Sequence, residues 1–371
     1  MLRVNVLAEF PSPHMMDFWE AFHDCEDIEL RLFFEKPTVS TKSWGRVAEA
    51  LNTETTDWSK LSIADKVRWV KRVGGTTADA WILDDNYLFW EHHLLASWMR
   101  RKSIPTVFLA ERTYWERRQS TGVRDWRNVV YQALKKAIIP FLIRDFDALA
   151  CHGVWAVEQY RDIAPDRYIF PTEYYVDLDD LRQIERPKKR PNDHVNLGFC
   201  GGLIPRKGLR YILHNLGVIS QFHNWQLKVA GDGPLRGELE AAIPSKLRHR
   251  VEFLGNVSSH EMKDFWRDID ALLFPSLFDG WGMVVVEALA AGAPVISGPN
   301  VGAARQYIKN EYNGEIRDVN GSFLQAIVPL LEAPEKLNEL SANARASVKN
   351  YRPEIGAKNF VRHLKTLAKQ G

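Results

Sequence analysis

The chain alternates short apolar runs with helix-like stretches, and it does so twice. In the first half the runs are "LRVNVLAEF", "IELRLFFE", "AWILDD", "PTVFLAE" and "FDALAC", with helical stretches at Phe18 to Asp24 and Tyr87 to Arg101. In the second they are "HVNLGFC", "QLKVAGD", "VEFLGN", "ALLFPS" and "APVISG", with helices beginning near Leu209, Leu235, Ser258 and Met283. Continuous apolar strands separated by helices are the pattern of βαβ units, whose sheets are parallel and covered on both faces. The expected fold class is α/β, with two Rossmann-like doubly wound domains.

Between the halves lies "ERPKKRPND", Glu185 to Asp193, a polar stretch with two prolines that continues neither a helix nor a core strand. It predicts an N-terminal domain over 1–187 and a C-terminal domain over 188–352. From Pro353 the tail 353–371 places Phe360, Leu364 and Leu367 on one helical stripe. Either domain is an admissible partner for that stripe, and packing back on the N-terminal domain is one arrangement.

A chain of 371 residues is too long for one ordinary core, and 45% hydrophobic with 26% charged residues suits a soluble globular protein. A net charge of +2 argues against nucleic acid as a partner. Cys25, Cys151 and Cys200 form no metal-binding spacing, and no apolar run reaches the roughly 18 residues of a spanning helix. The expectation is a cytoplasmic protein, at most peripheral at the inner face of a membrane, with no metal and no cofactor.

Open α/β sheets bind ligands at the carboxyl ends of their strands, so the loops that follow the strands carry the chemistry. "CGGLIPRKG", Cys200 to Gly208, joins a strand to a helix. Gly201 and Gly202 admit close approach of a ligand, while Arg206 and Lys207 add positive charge, which suits a phosphate or diphosphate. A glycine turn with a solvated basic pair is the alternative. "AGDGP", with Gly231 and Gly233, reads by itself as a structural turn. "FPSLFDGWGMVVVEALAAGAPVI" puts Asp279 on a glycine loop and Glu287 in the following helix. Carboxylates accept hydrogen bonds from vicinal hydroxyls, so two separated acids suit a ligand with two sugar rings.

These segments, taken in order, resemble the family 4 retaining glycosyltransferases of GT-B fold, also called glycosyl transferases group 1. "PSLFDGWGMVVVEALAAGAPVI" is similar to that family's signature, and "GGLIPRKG", "VAGDGP" and "VEFLGNVSSHEMKDFW" are similar to its other elements. The resemblance covers about 196–315 strongly, and the first half by architecture. It implies two domains facing each other across a cleft and a UDP-, GDP- or ADP-sugar donor. It implies that Glu287 binds the ribose, that Asp279 and the backbone of Gly280, Trp281, Gly282 and Met283 hold the donor sugar, and that Lys207 neutralises the diphosphate. Gly202 stands where the family usually has arginine, and Asp279 where it usually has glutamate.

In the first half, "FPSPHMMDFW" supplies His14 after the first strand, and "FLAERTYW" places Glu111 where the family often has a histidine. Glu111 is read as an acceptor-orienting or charge-stabilising group, against the alternative of a surface ion pair. Asp84 and Asp85 at one strand end and His152 at another are further acceptor-side candidates, whereas His92 and His93 read as packing or surface residues.

From Met99 to Arg144 there are eleven Lys or Arg against three acids, interleaved with aromatic residues. This suits anionic lipid and a lipid-linked acceptor. The competing reading makes Val130, Ala133, Leu134, Ala137 and Ile138 a core-facing stripe, with Lys135 and Lys136 in water.

Three functions remain open at this level. The first is sugar transfer with retention to a hydroxyl acceptor in surface polysaccharide or glycolipid synthesis. The others are a non-catalytic sugar-nucleotide-binding subunit, and another nucleotide-sugar enzyme such as an epimerase.

Overall fold

The computed structural model describes residues 1–36, 51, 53–84, 89–112, 126–319 and 323–369. They form two compact units. The first holds residues up to Asp177 together with Tyr351 onward, and the second runs from Leu178 to Asn350. The units divide at 177/178 and 350/351. The polar segment read as a linker is part of the second unit. There Arg186 donates through Nε to Ala291 O at 2.7 Å and through Nη2 to Trp266 O at 2.6 Å, and Lys189 pairs with Asp270 at 2.7 Å.

The first sheet contains β1 (Leu2–Ala8), β2 (Ile28–Phe34), β3 (Thr53–Thr55), β4 (Ala80–Leu83), β5 (Thr106–Ala110), β6 (Ala148–His152) and β7 (Tyr168–Thr172). Its order is β3-β2-β1-β4-β5-β6-β7, with every pairing parallel. The central strands are mostly apolar because helices cover both faces: Val4, Val6, Trp81, Ile82, Leu83, Val107 and Phe108 have no exposed surface. The expected strands are present. Those passed over, β3 and β7, lie at the edges, where a strand is short or tolerates a proline such as Pro171.

The C-terminal helix Pro353–Leu367 belongs to this unit. Phe360 meets Phe18 and Phe22 of the helix Pro13–His23 edge-on, with ring centroids 5.7 and 5.9 Å apart.

The helix Trp126–Ile143 departs from expectation. Leu134 and Ile138 are 53% and 49% exposed, and Ala133 and Ala137 are exposed as well, so no core-facing stripe runs through them. Among its described side chains, Ile139 and Ile143 are the buried ones. At about 100° per residue these two lie close to half a turn from Leu134, Ile138 and Phe141, so burying one face exposes the other. The side chains of Val130, Lys135 and Lys136 lie outside the described residues.

The second sheet contains β8 (Val195–Cys200), β9 (Trp225–Ala230), β10 (Val251–Gly255), β11 (Ala271–Phe274), β12 (Val295–Ser297) and β13 (Gly314–Ile316). It is also parallel, in the order β10-β9-β8-β11-β12-β13. The order reverses direction between β8 and β11, the switch point where such sheets open a crevice. The loops after these two strands are the ones that carry Lys207 and Asp279.

Candidate active site

The loop after β8 turns through Gly201 and Gly202, makes one short helical turn at Pro205–Lys207, and enters the helix Leu209–His214. It is locked to the loop after β9. Gly201 N donates to Ala230 O at 3.0 Å, and Leu203 N to Asp232 O at 2.9 Å. Gly231, at φ 131°, comes so near that a Cβ there would lie 2.1 Å from Gly201 O. Gly231 and Gly233 therefore shape the loop that presents Arg206 and Lys207. At Gly202 a Cβ would meet only Asp232 O, at 3.9 Å, so the position is open to a side chain.

The loop after β11 is braced from two sides. Leu277 N donates to Arg206 O at 2.8 Å, while Asp279 N donates to Asn300 O at 2.9 Å and Gly302 N to Asp279 O at 3.2 Å. The helix Met283–Ala290 follows directly. Lys207 Nζ contacts Asp279 Oδ2, and Arg206 Nη1 stands 3.4 Å from the same oxygen and 3.2 Å from Phe278 O. Lys207 also lies over the Phe274 ring, 5.0 Å from its centroid. Two loops more than seventy residues apart in sequence thus meet in one cluster of two cations and one acid.

Glu287 is half-buried in the second turn of that helix, and no hydrogen bond or ion pair reaches its carboxylate among the described residues. Burial pushes the carboxyl up to about 7. Its neighbour is Cys200, whose thiol is pushed up to about 12 by burial first and then by the Glu287 charge, with Lys207 acting in the opposite direction. Trp281 is 2% exposed and packs edge-on against Tyr307, so its loop offers backbone to a ligand and keeps the indole inside.

The first unit gathers three of its own candidates. The Tyr174 hydroxyl donates to Glu111 Oε1 at 2.6 Å, the Tyr174 ring stacks on His152, and His14 lies edge-on to Tyr174 with centroids 6.5 Å apart. Tyr174 was not found from sequence. It follows the short edge strand β7, and "PTEYYVD" gives no periodic signal for that strand. Asp84 is elsewhere in this unit, at the end of β4, within electrostatic reach of the fully buried His92, which stands 3.6 Å from Glu35. His93 pairs with Asp145 at 3.0 Å. Asp85 lies outside the described residues.

Residues 181–347 match the family model described as Glycosyl transferases group 1. Over these residues the chain is similar to the glycosyl transferases group 1 family. The matched segment contains both loops and Glu287. "Uncharacterized glycosyltransferase MJ1607" of Methanocaldococcus jannaschii is 36% identical over 124 residues, 33% of this chain and 32% of that protein. The phosphatidyl-myo-inositol mannosyltransferase of Mycobacterium tuberculosis is 27% identical over 208 residues, 53% of each chain. The match spans about a third to a half of the length of these relatives. Outside these residues the likeness is one of fold. The structure of Anabaena HepE in complex with UDP and glucose aligns with 99% of this chain and 100% of its own, at a TM-score of 0.73 and 14% identity. The two parallel sheets thus form a GT-B fold.

Proposed function

We propose that this protein transfers a sugar, with retention, from a nucleoside diphosphate sugar to a hydroxyl acceptor. The observation that carries the reading is the meeting of Lys207, Arg206 and Asp279 at the switch point of the second sheet, with Glu287 in the helix that leaves it. In this reading Glu287 accepts hydrogen bonds from the two ribose hydroxyls. Asp279 and the backbone of 280–283 hold the donor sugar, and Lys207 and Arg206 face the diphosphate. The bond from the sugar's anomeric carbon to the phosphate oxygen breaks. The acceptor oxygen attacks the same face, and its proton passes to the departing oxygen. Fixed cations beside that oxygen offset the charge it gains, which is how preorganised electrostatics lowers such a barrier. Glu111 orients the acceptor hydroxyl.

The acceptor class we infer is a lipid-linked hydroxyl at an anionic surface. Support comes from Leu134, Ile138 and Phe141, exposed along one face of the helix Trp126–Ile143, and from the basic surplus around them. The mannosyltransferase relative, by its name, acts on a phosphatidyl lipid. Among the described residues no helix is long and apolar enough to cross a membrane.

Release of nucleoside diphosphate from labelled UDP-, GDP- and ADP-sugars, with product stereochemistry read by NMR, tests the proposal. Transfer with the anomeric configuration kept supports it. Binding without turnover supports a non-catalytic subunit, and a product still joined to its nucleotide supports an epimerase.

A further inference from the structure

Strands β5, β6 and β7 lie side by side, with Ala110 paired to Cys151 and His152 to Thr172, so their carboxyl ends open on one edge of the sheet. Glu111 follows β5, His152 closes β6, and Tyr174 stands just past β7. The Tyr174 ring lies flat on the His152 imidazole, centroids 3.9 Å apart and planes 2° from parallel. His152 is 2% exposed, and burial lowers it to about 3, so the stacked ring is neutral and does not compete for the nearby carboxylate. The main chain at Tyr174 is held too, since its carbonyl accepts a hydrogen bond from the Tyr351 hydroxyl. Ring and backbone are therefore fixed, and the phenol points at Glu111 Oε1 from 2.6 Å.

We propose that Tyr174 is the positioning residue for Glu111, holding one carboxylate oxygen so that the group meets the acceptor hydroxyl in a single orientation. This rests on the acceptor-orienting role given to Glu111 above. The physical case is preorganisation. A glutamate side chain has several rotamers to lose, and a short O–H···O⁻ bond from a stacked donor removes them before the acceptor arrives. A carboxylate has about four acceptor sites, and the hydrogen bond from the phenol takes one of them.

The test is a double-mutant cycle on the full chain with Tyr174→Phe and Glu111→Gln. Turnover of UDP-glucose, GDP-mannose and ADP-glucose is measured with water and with octyl glucoside as acceptors, and the fastest pair is carried through the variants. Tyr174→Phe keeps the ring on His152 and removes only the hydroxyl. It is expected to lower kcat about tenfold or more, while nucleotide affinity by calorimetry stays within about twofold. In the Glu111→Gln background the same change is expected to cost nothing further. A folded Tyr174→Phe with normal turnover overturns the inference, and so does an equal loss in both backgrounds, because Tyr174 then acts through another group. Normal turnover by folded Glu111→Gln overturns the role of Glu111 itself and the inference built on it.

Discussion

Lys207 and Asp279 are bound to each other: the ammonium sits against carboxylate Oδ2, and the two side chains are only 15% and 14% exposed. The cation assigned to the diphosphate and the acid assigned to the sugar thus compensate one another. In the proposed reading a donor entering this site takes Lys207 away from Asp279, which would couple nucleotide and sugar recognition through one pair.

Asp279→Asn removes the competitor for Lys207. Affinity for a bare nucleoside diphosphate is expected to rise several-fold, while affinity for the diphosphate sugar fails to rise with it and transfer falls by about ten- to a hundredfold. Lys207→Ala is expected to lower transfer by at least about a hundredfold. Calorimetry with the two ligands, set beside transfer rates, checks both.

Glu287, the acid proposed to bind the ribose, is placed where its charge opposes folding. Its carboxyl titrates at about 7 in the folded chain against 4.5 ordinarily, because burial disfavours its charged form. Between those two values the unfolded chain has lost the proton and the folded chain keeps it, so stability falls as pH rises from 4.5 to 7 and is level above that. The cost at pH 8 is of order 1 to 3 kcal/mol. Glu287→Gln is therefore expected to raise Tm by a few degrees at pH 8 and to leave it unchanged at pH 4. Scanning calorimetry at both pH values decides it; an equal shift at the two would remove titration as the cause.

Leu134, Ile138 and Phe141 face water on one side of a helix whose opposite side is buried. Changing all three to serine is expected to weaken binding to vesicles containing anionic lipid by about tenfold or more, with hydrolysis of a soluble donor unaffected. Vesicle co-sedimentation provides the measurement.

Gly356 is where the C-terminal helix meets the rest of the first unit: a Cβ there would stand 2.2 Å from the Tyr175 ring. Tyr175 is itself buried and stacks on Phe18, so it has little room to give. Gly356→Ala is expected to cost about 1–3 kcal/mol despite its better helix propensity. Urea denaturation would show it as a lowered midpoint at unchanged slope.

Much of the fold was legible because central parallel strands must be apolar on both faces, and runs such as "AWIL" and "ALLF" show this without ambiguity. Helices do start near Leu209, Ser258 and Met283, and at Ser258 the structure adds a capping box formed by its hydroxyl and Glu261. The edge strands β3, β7 and β13 were not legible, since short segments such as Thr53–Thr55 and Gly314–Ile316 carry no periodicity. The loops after β8 and β11 could be singled out from their residue types in order. The ion pair between Lys207 and Asp279 could not, because it depends on β8 and β11 being neighbours in the sheet. Tyr174 escaped for a similar reason: its meaning comes from the ends of β5 and β6 beside it. The face of the helix Trp126–Ile143 was misread because several apolar stripes can be drawn on it and sequence alone does not say which one the sheet covers.

The loops after β8 and β11, with Glu287, are proposed to form a nucleotide-sugar site. Calorimetric titration of the purified chain with UDP, GDP, ADP and their sugar conjugates, repeated on Glu287→Ala, tests it most directly. The prediction is selective binding of one nucleotide, weakened at least about tenfold in the folded variant as its ribose contacts are lost. Binding of equal strength by both proteins, or no binding of any nucleotide by the folded chain, would contradict it.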